Sequence, residues 1–183
     1  MKNNKVVKII IWAVMITAGV LADQLSKSYM VNHLKGHTNI VWIKNVFELE
    51  YCENTGAAFS SFLGKQTFLI CLTAVILFVV LWELFRVPDT KRFIGLRLSF
   101  IMLIAGALGN LIDRIKQGYV VDFFYFVPIN FPRFNVADVF VCCAAILLGV
   151  LLLFVYSEKE TDFMFKIKKT PANNDKDADA NKS

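Results

Sequence analysis

The chain has 183 residues, of which 56% are hydrophobic and 17 are phenylalanine. A soluble domain of this length has too little interior to bury so many apolar side chains, so the composition indicates a membrane protein of one domain with at most a tail. The formal net charge is +5, but the basic residues lie between apolar runs, a pattern of membrane orientation that predicts no nucleic-acid partner. With two histidines, and four cysteines in no CxxC or Cys/His spacing, we predict no metal site and no cofactor.

Four apolar segments are long enough to cross a bilayer, because about 20 helical residues span a hydrocarbon core of about 30 Å. In lipid, such segments must be helical to satisfy their own backbone groups. The predicted fold class is therefore a membrane α-helical protein with a bundle of four transmembrane helices. The predicted helices cover residues 6–30, 66–85, 93–115 and 136–156. Residues 158–183 are polar and are predicted to form a tail that is disordered over 171–183.

The first apolar segment has two interpretations. A basic start, an apolar stretch over 9–21 and small residues near Ala22 resemble a signal peptide with its cleavage site. We favour a retained helix, because apolar residues resume after Asp23, and because Asp23 and Lys27 stand at i, i+4 with the acid first, the favourable order for a helical ion pair. Cleavage would leave three spans and would move one terminus to the outside.

Lysine and arginine counts predict how the helices are oriented. The N-terminus, the loop between the second and third segments, and the tail together hold 13 of the 20 lysine and arginine residues. An excess of these residues marks the cytoplasmic side. Both termini are therefore predicted to be cytoplasmic, and the loops near 31–65 and 116–135 are predicted to face outward from a multi-pass protein of the cell membrane.

Acidic residues lie in or beside these apolar segments, near their predicted outer ends. They are Asp23, Asp113, Asp122 and Asp138. An ionisable group in a membrane segment is costly and is a functional-site hypothesis by default. Asp23 and Asp113 each have a cationic neighbour, Lys27 and Arg114, so a paired charge at a helix end is the preferred interpretation for Asp23, and the two interpretations are about even for Asp113.

Asp122 and Asp138 have no basic residue at helical spacing. Pro128 and Pro132 lie between them and cannot continue a helix, so a short turn could bring the two acids together. Two carboxyls facing each other in an apolar setting would share one proton, with one activating water and the other polarising a carbonyl. Asn135 precedes Asp138 by three residues and could hold its carboxyl. A helix N-cap for Asp138 and a solvated loop for Asp122 stay open as plainer alternatives.

Two further polar stretches lie on the same predicted side. Asn54 and Gly56 follow a loosely alternating segment that could form short strands, although Asn and Gly also favour a simple turn. Asn110, Asp113 and Arg114 share one face of the third helix, because they are spaced at i, i+3 and i+4. A helix end would not by itself require an amide, an acid and a guanidinium on one buried face, so these residues are candidates for a functional site.

Together these stretches resemble lipoprotein signal peptidase, also called signal peptidase II, the bacterial prolipoprotein peptidase. The resemblance covers roughly residues 9–157, and five matching pieces occur in the family's order with its spacing. The pieces are 23–27, 54–59, 109–114, 120–123 and 134–138. Val139 departs from the pattern, since many members have a small hydroxyl residue there, and this removes a possible hydrogen bond near the site.

The resemblance implies an intramembrane aspartic endopeptidase, a hydrolase whose catalytic acids are Asp122 and Asp138. Its substrates would be prolipoproteins that carry a diacylglyceryl group on the lipobox cysteine, and cleavage just before that cysteine would release the signal peptide. Residues implied to line the site or hold substrate are Asn54, Gly56, Asn110, Arg114 and Asn135. Residues implied to support the structure are Asp23, Lys27 and Asp113.

The resemblance also implies a small extracytoplasmic β-cradle, here near residues 39–62, with a short external helix in the first loop. The peptidase domain would cover 1–157, residues 158–183 would be a cytoplasmic tail, and the active site would lie at the outer membrane surface. The expected partners are lipidated prolipoproteins and membrane lipids, and we expect a monomer.

The alternative function is a small proton-coupled transporter or channel subunit that uses Asp122 or Asp138 as a proton relay. The sequence has no internal repeat, and transporters more often place polar residues near the bilayer midplane. A structural scaffold is a third possibility, but it would not need Asn110, Asp113 and Arg114 on one helix face. Cleavage of a purified lipidated prolipoprotein distinguishes all three.

Overall fold

A computed structural model describes residues 2–56 and 65–165 of the chain. Four of its helices are long and apolar enough to cross a membrane. They are α1 (Lys2–Leu34), α2 (Gln66–Arg86), α3 (Ile94–Gln117) and α4 (Val136–Val150), and a single wider helical turn, Leu151–Val155, continues α4. The predicted four-helix fold is confirmed. Residues 57–59 of the 54–59 piece and the predicted disordered stretch lie outside the described residues.

Helix α1 is longer than the predicted 6–30 at both ends. It is unbroken across the small residues that resemble a cleavage site. Its last residue, Leu34, is buried beneath the sheet against Leu49, Val121 and Phe123. This apolar contact with the sheet stabilises a final turn that the local sequence did not indicate.

A three-stranded antiparallel sheet is formed by the segments between the helices, in the order β1 (Ile40–Ile43), β2 (Phe47–Asn54) and β3 (Val120–Phe126). The predicted cradle near 39–62 contains the first two strands but missed β3, which comes from the loop after α3. Gly118, with φ of +78°, ends α3 in a left-handed turn and sends the chain back along β2. Residues 35–56 contain no helix, and the rest of the loop expected to hold an external helix lies outside the described residues.

Helix α3 packs against α1, α2 and α4, and small residues allow the close approach. A Cβ added at Gly106 would lie 2.4 Å from the Ala137 carbonyl oxygen of α4. A Cβ added at Gly109 would lie 2.5 Å from Asp23 Oδ2 of α1. These glycines therefore set the distances at which the acidic residues of neighbouring helices meet.

The start of α1, the α2–α3 loop and the chain after α4 share one end of the bundle. Lys8 pairs with Asp89, and Arg92 pairs with Glu160 at 3.1 Å. The sheet lies at the opposite end, because β1 and β3 follow the far ends of α1 and α3. The first part of the predicted tail is folded as helix α5 (Glu158–Phe165).

Helix α5 packs onto the bundle through apolar and polar contacts. The Phe163 ring meets the Phe93 ring edge to face, with centroids 5.8 Å apart. Arg86 of α2 donates a hydrogen bond to the Phe163 carbonyl. Four of the eight residues of this helix are charged, so the sequence predicted only a polar tail. Residues 166–183 lie outside the described part of the chain.

Candidate active site

Asp122 lies in β3, opposite Cys52 of β2, and is 1% exposed. Its Oδ2 accepts a hydrogen bond from Asn54 Nδ2 at 2.8 Å, and its Oδ1 accepts one from Asn135 Nδ2 at 2.6 Å. The alternative of a solvated loop residue is therefore wrong. Burial, together with the nearby charge of Asp138, raises the pKa of Asp122 to about 7, although the two amide donors act in the opposite direction.

Asp138 lies in the first turn of α4, where it forms a capping box with Asn135. Its Oδ2 accepts from the Asn135 backbone N–H at 3.0 Å, and its own N–H donates to Asn135 Oδ1 at 3.0 Å. The alternative that placed Asp138 at the N-cap is wrong about the position, because Asn135 is the N-cap residue. Asp138 still takes part in capping, since its carboxyl completes the capping box. The other oxygen, Oδ1, accepts from Asn110 Nδ2 at 2.8 Å.

Asn135 connects the two acids. Its fully buried side chain uses Oδ1 for the helix cap and Nδ2 for Asp122, with further contacts from Nδ2 to Asn110 Oδ1 at 3.1 Å and to the Val121 carbonyl at 3.2 Å. Acceptors surround the amide nitrogen and a donor faces the oxygen, so the side chain has one satisfactory orientation. The Asp138 carboxyl is bound by the backbone N–H of Asn135, and the side-chain hydrogen bond from Asn135 to Asp122 was not expected from the sequence.

Lys27 is the centre of a buried charge cluster behind the two acids. Its Nζ lies 2.8 Å from Asp23 Oδ2, 2.9 Å from Asp113 Oδ2 and 2.9 Å from Asn110 Oδ1. The predicted pair of Asp23 and Lys27 is confirmed. The cation that Asp113 pairs with is Lys27, and not the adjacent Arg114 that the sequence offered.

The charge cluster is coupled to the acids through hydrogen bonds. Lys27 donates to Asn110 Oδ1, which turns the amide nitrogen of Asn110 toward Asp138. Asp23 Oδ1 accepts from the Ala137 backbone N–H at 2.9 Å, and Asp113 Oδ2 accepts from the Val121 N–H at 3.2 Å. Each acid of the cluster therefore anchors the backbone next to one candidate catalytic residue.

Gln24 is a contributor that the sequence reasoning missed. Its Nε2 donates to Asp113 Oδ1 at 2.8 Å and to the Gly109 carbonyl at 3.2 Å, which joins α1 to α3. Its position inside the matching piece 23–27 was the available signal. An amide beside a charged pair has no distinctive spacing of its own, so no chemistry could be assigned to it from the sequence.

Arg114 reaches away from Asp113 toward the loop after β2. It donates to the Gly56 carbonyl at 3.1 Å, and the Gly56 N–H donates in turn to Asn54 Oδ1 at 2.9 Å. The Asn54 side chain is thereby fixed with its amide nitrogen on Asp122. Arg114 Nε is buried without a hydrogen-bond partner among the described residues.

A cavity of about 580 Å³ brings the predicted site residues together. Its polar wall contains Asn54, Asn110, Arg114, Asp122 and Asp138. Its apolar wall includes Val120, Phe131, Phe134, Val139 and Val141. Cys52, Cys142 and Cys143 also line it, and the sequence assigned them no role in a site. Gly56 and Asn135 do not line the cavity, but they hydrogen-bond to Asn54 and Asp122, which do.

The arrangement is suited to acid–base chemistry on a bound peptide. Two carboxyls share a cavity, and the raised pKa of Asp122 keeps a proton on the pair near neutral pH. No group of three or more histidine, cysteine or acidic side chains within residues 2–56 and 65–165 is placed to hold a metal ion. The groups that contact the acids are amides and backbone N–H groups, which fix the orientation of both carboxyls.

Comparisons with known proteins agree with the resemblance. The family model of Signal peptidase (SPase) II matches residues 15–154. The lipoprotein signal peptidase of Lactococcus lactis subsp. lactis (strain IL1403) is 45% identical over 150 residues, which cover 81% of this chain and 95% of that protein. The lipoprotein signal peptidase of Clostridium tetani (strain Massachusetts / E88) is 40% identical over 153 residues, which cover 82% and 94%.

A solved structure is also similar. It is described as a bacterial membrane enzyme determined by the in meso method at 2.3 Å resolution, and it matches with a TM-score of 0.71 and 30% sequence identity. The match covers 87% of this chain and 93% of that one. The fold of this chain is therefore similar to that of a bacterial membrane enzyme.

Proposed function

The chain belongs to the signal peptidase II family, and on that premise we propose that Asp122 and Asp138 are its catalytic pair. The protein is a multi-pass membrane peptidase that removes signal peptides from lipoprotein precursors. The observation that carries the proposal is that both acids line one cavity and are linked through the amide of Asn135. The matching family and relatives are peptidases, so the alternative of a transporter or channel subunit has no support from them.

The proposed mechanism uses one proton shared by two acids. Like charges close together in an apolar cavity do not both ionise, so one carboxyl is protonated and the other is ionised. The carboxylate takes a proton from water as the water oxygen attacks the scissile carbonyl carbon, and the carboxylic acid donates its proton to the carbonyl oxygen. The acid that took the water proton then donates it to the leaving nitrogen, while the other carboxylate takes back a proton from a hydroxyl of the tetrahedral intermediate. The carbon–nitrogen bond breaks, the new carboxyl group forms, and the pair again holds one proton.

The other predicted site residues have supporting roles in this proposal. Asn54 and Asn110 each donate to one acid, and Asn135 contacts both, so the carboxyl planes cannot rotate freely. Arg114 donates to the Gly56 carbonyl and lines the cavity. The buried ion pairs of Lys27 with Asp23 and Asp113 support the structure of the site. Asp23 and Asp113 bind the backbone N–H groups of the residues that precede Asp138 and Asp122.

We propose that the substrate cysteine carries its diacylglyceryl group before cleavage, and that the cut falls just before this cysteine. The support is the position of the cavity, which has α4 as one wall. Because α4 is a membrane-spanning helix, acyl chains can stay in lipid while the peptide bond reaches the acids. An unlipidated precursor should be cleaved poorly in vesicles, and equal turnover of both forms would contradict this part of the proposal.

We propose that the end of the bundle with Lys8, Asp89 and Arg92 faces the cytoplasm, so that both termini are cytoplasmic and the active site lies at the outer membrane surface. The excess of lysine and arginine at this end supports that orientation. We also propose a peptidase domain over 1–157 and a tail over 158–183. We further propose that the protein works as a monomer among membrane lipids, since the two acids and the amides that hydrogen-bond to them belong to the same chain.

The test of the catalytic pair is the variants Asp122→Asn and Asp138→Asn, assayed with a purified lipidated prolipoprotein. Asn has nearly the shape of Asp but cannot exchange a proton, so each variant should lose at least ~10²–10⁴-fold in turnover. Asp89→Asn is a matched control, because Asp89 is exposed at the opposite end of the bundle and its variant should keep its turnover. If Asp138→Asn cleaved at a near-normal rate, Asp138 would act only in capping the helix, and the proposal of a catalytic pair would be refuted.

A further inference from the structure

Strand β1 carries four large apolar side chains in a row, and all of them are exposed. The exposed fractions are 42% for Ile40, 53% for Val41, 65% for Trp42 and 57% for Ile43. Successive side chains of a strand point to opposite faces, so the described part of the protein leaves apolar surface exposed on both faces of β1. Edge strands usually carry charged residues that discourage unwanted contacts, and β1 has none.

The exposed surface continues beyond β1. Lys44 is exposed in the turn between β1 and β2. The Val46 carbonyl of this turn accepts a hydrogen bond from the Val127 N–H at 3.0 Å, so the turn Val127–Ile129 lies beside it. Ile129 in that second turn is 68% exposed. Residues 40–44 and Ile129 are called the hairpin patch below.

We propose that the hairpin patch inserts into the headgroup region of the bilayer, so that its partner is a lipid surface with anionic headgroups. The patch adjoins the membrane-embedded bundle, because α1 ends at Leu34 and β1 begins at Ile40. Six residues of extended chain reach at most about 20 Å, which places β1 near the end of a spanning helix. Tryptophan and lysine, as Trp42 and Lys44, are the residue types that favour this level of a membrane.

The backbone of β1 limits how deep the patch can lie. In the described part of the chain β1 pairs with β2 alone, so its outer edge presents free N–H and C=O groups. Such groups are not tolerated in hydrocarbon but can bind water and headgroups at the interface. The strand therefore lies at headgroup level, with the apolar side chains of one face directed toward the acyl chains and those of the other face among the headgroups. Edge pairing with a second copy is the competing use of this strand.

The experiment uses the three tryptophans of the chain. A full-length protein with Trp12→Phe and Trp82→Phe keeps Trp42 as its one tryptophan, which can be excited at wavelengths where the five tyrosines do not absorb. In vesicles of phosphatidylcholine and phosphatidylglycerol, we expect blue-shifted emission and weak quenching by aqueous iodide. Lipids brominated near the headgroup end of the acyl chain should quench more than lipids brominated near the chain terminus. A protein that keeps only Trp82 is the positive control, because Trp82 is exposed on the spanning helix α2 and must be quenched by brominated lipid.

Two results would overturn the inference. Emission typical of water with strong iodide quenching would place Trp42 in solvent. A blue shift without brominated-lipid quenching, together with cross-linked dimers, would assign the edge to a second copy. If the doubly substituted protein fails to insert, the unsubstituted chain can be photolabelled with a diazirine carried on a lipid. We expect label on residues 40–43, and its absence there would refute the contact with lipid. Asp122→Asn should leave all these signals unchanged, so this inference and the catalytic proposal fail separately.

Discussion

Replacing Lys27 with methionine is the most informative perturbation of the buried charge cluster. Lys27 is 3% exposed, and its ammonium contacts two carboxylates, those of Asp23 and Asp113, which are 0% and 5% exposed. The cluster carries one excess negative charge with Lys27 present, and Lys27→Met raises the excess to two. Methionine has a similar length and volume, so a packing defect contributes little to the effect.

The magnitude follows from burial. Removing one partner of a buried ion pair costs about 3–5 kcal/mol, because the remaining charge has lost both water and its counter-ion. At about 1.4 kcal/mol per factor of ten, the unfolding equilibrium constant should rise roughly 150- to 4,000-fold. Turnover should fall as well, because Asn110 loses the donor that orients its amide toward Asp138.

The measurement is unfolding of the purified protein by sodium dodecyl sulfate in mixed micelles, followed by circular dichroism. Lys35→Met is the matched control, since Lys35 forms an ion pair of similar length with Glu53, 2.9 Å, but both side chains are about half exposed. An exposed pair contributes about 0–1 kcal/mol, so this variant should unfold close to the unsubstituted protein.

A second substitution separates charge from shape. Adding Asp113→Asn to Lys27→Met returns the excess charge of the cluster to one, so the double variant should be more stable than Lys27→Met alone. The two substitutions should therefore be non-additive, as expected for residues in contact. Equal unfolding midpoints for Lys27→Met and the unsubstituted protein would refute the reasoning, because the three charges could not then form a buried cluster.

Three further predictions concern pH, packing and orientation. Asp122 holds its proton below about pH 7 and loses it above that pH. The value of kcat/KM should therefore fall as the pH rises through 7. A profile that stays flat to alkaline pH would contradict the shared proton. Gly109→Ala would place its Cβ 2.5 Å from Asp23 Oδ2 and should lower the free energy of unfolding by about 1–3 kcal/mol in the same assay. Gly149→Ala in α4 is the control, because the added Cβ meets open space and the substitution should be neutral or stabilising. Reporter fusions at Ser183 and in the turn between β1 and β2 should give opposite-side signals, and same-side signals would refute the proposed orientation.

The helices could be predicted from the sequence because the bilayer imposes a local rule. A segment in lipid must be apolar, about 20 residues long and helical, and each condition is visible in a continuous stretch of sequence. The predicted and observed bounds agree within a few residues for α2, α3, and α4 taken together with its continuing turn Leu151–Val155. The family was also recognisable, because five separated pieces in a fixed order are specific even though each is short, and membership is confirmed.

The sheet was only half predictable. Strands β1 and β2 are near neighbours along the chain, but β3 begins 66 residues after the end of β2, with two spanning helices between them. No local pattern says that Val120–Phe126 pairs with β2, since pairing depends on α3 returning the chain to the same end of the bundle. The register that sets Asp122 opposite Cys52 is likewise a property of the packed chain.

The sequence by itself determined the class of protein, the number of spans and which side chains are candidates for chemistry, because hydrophobic length and motif order are properties of contiguous residues. Only the tertiary structure decided the partners of those side chains. Asp113 is adjacent to Arg114 in sequence but pairs with Lys27 of another helix, and Asn135 bonds to an acid 13 residues away as well as to its helix neighbour. Hydrogen bonds and ion pairs act over about 3 Å in space, and sequence distance does not reveal which groups packing brings within that range.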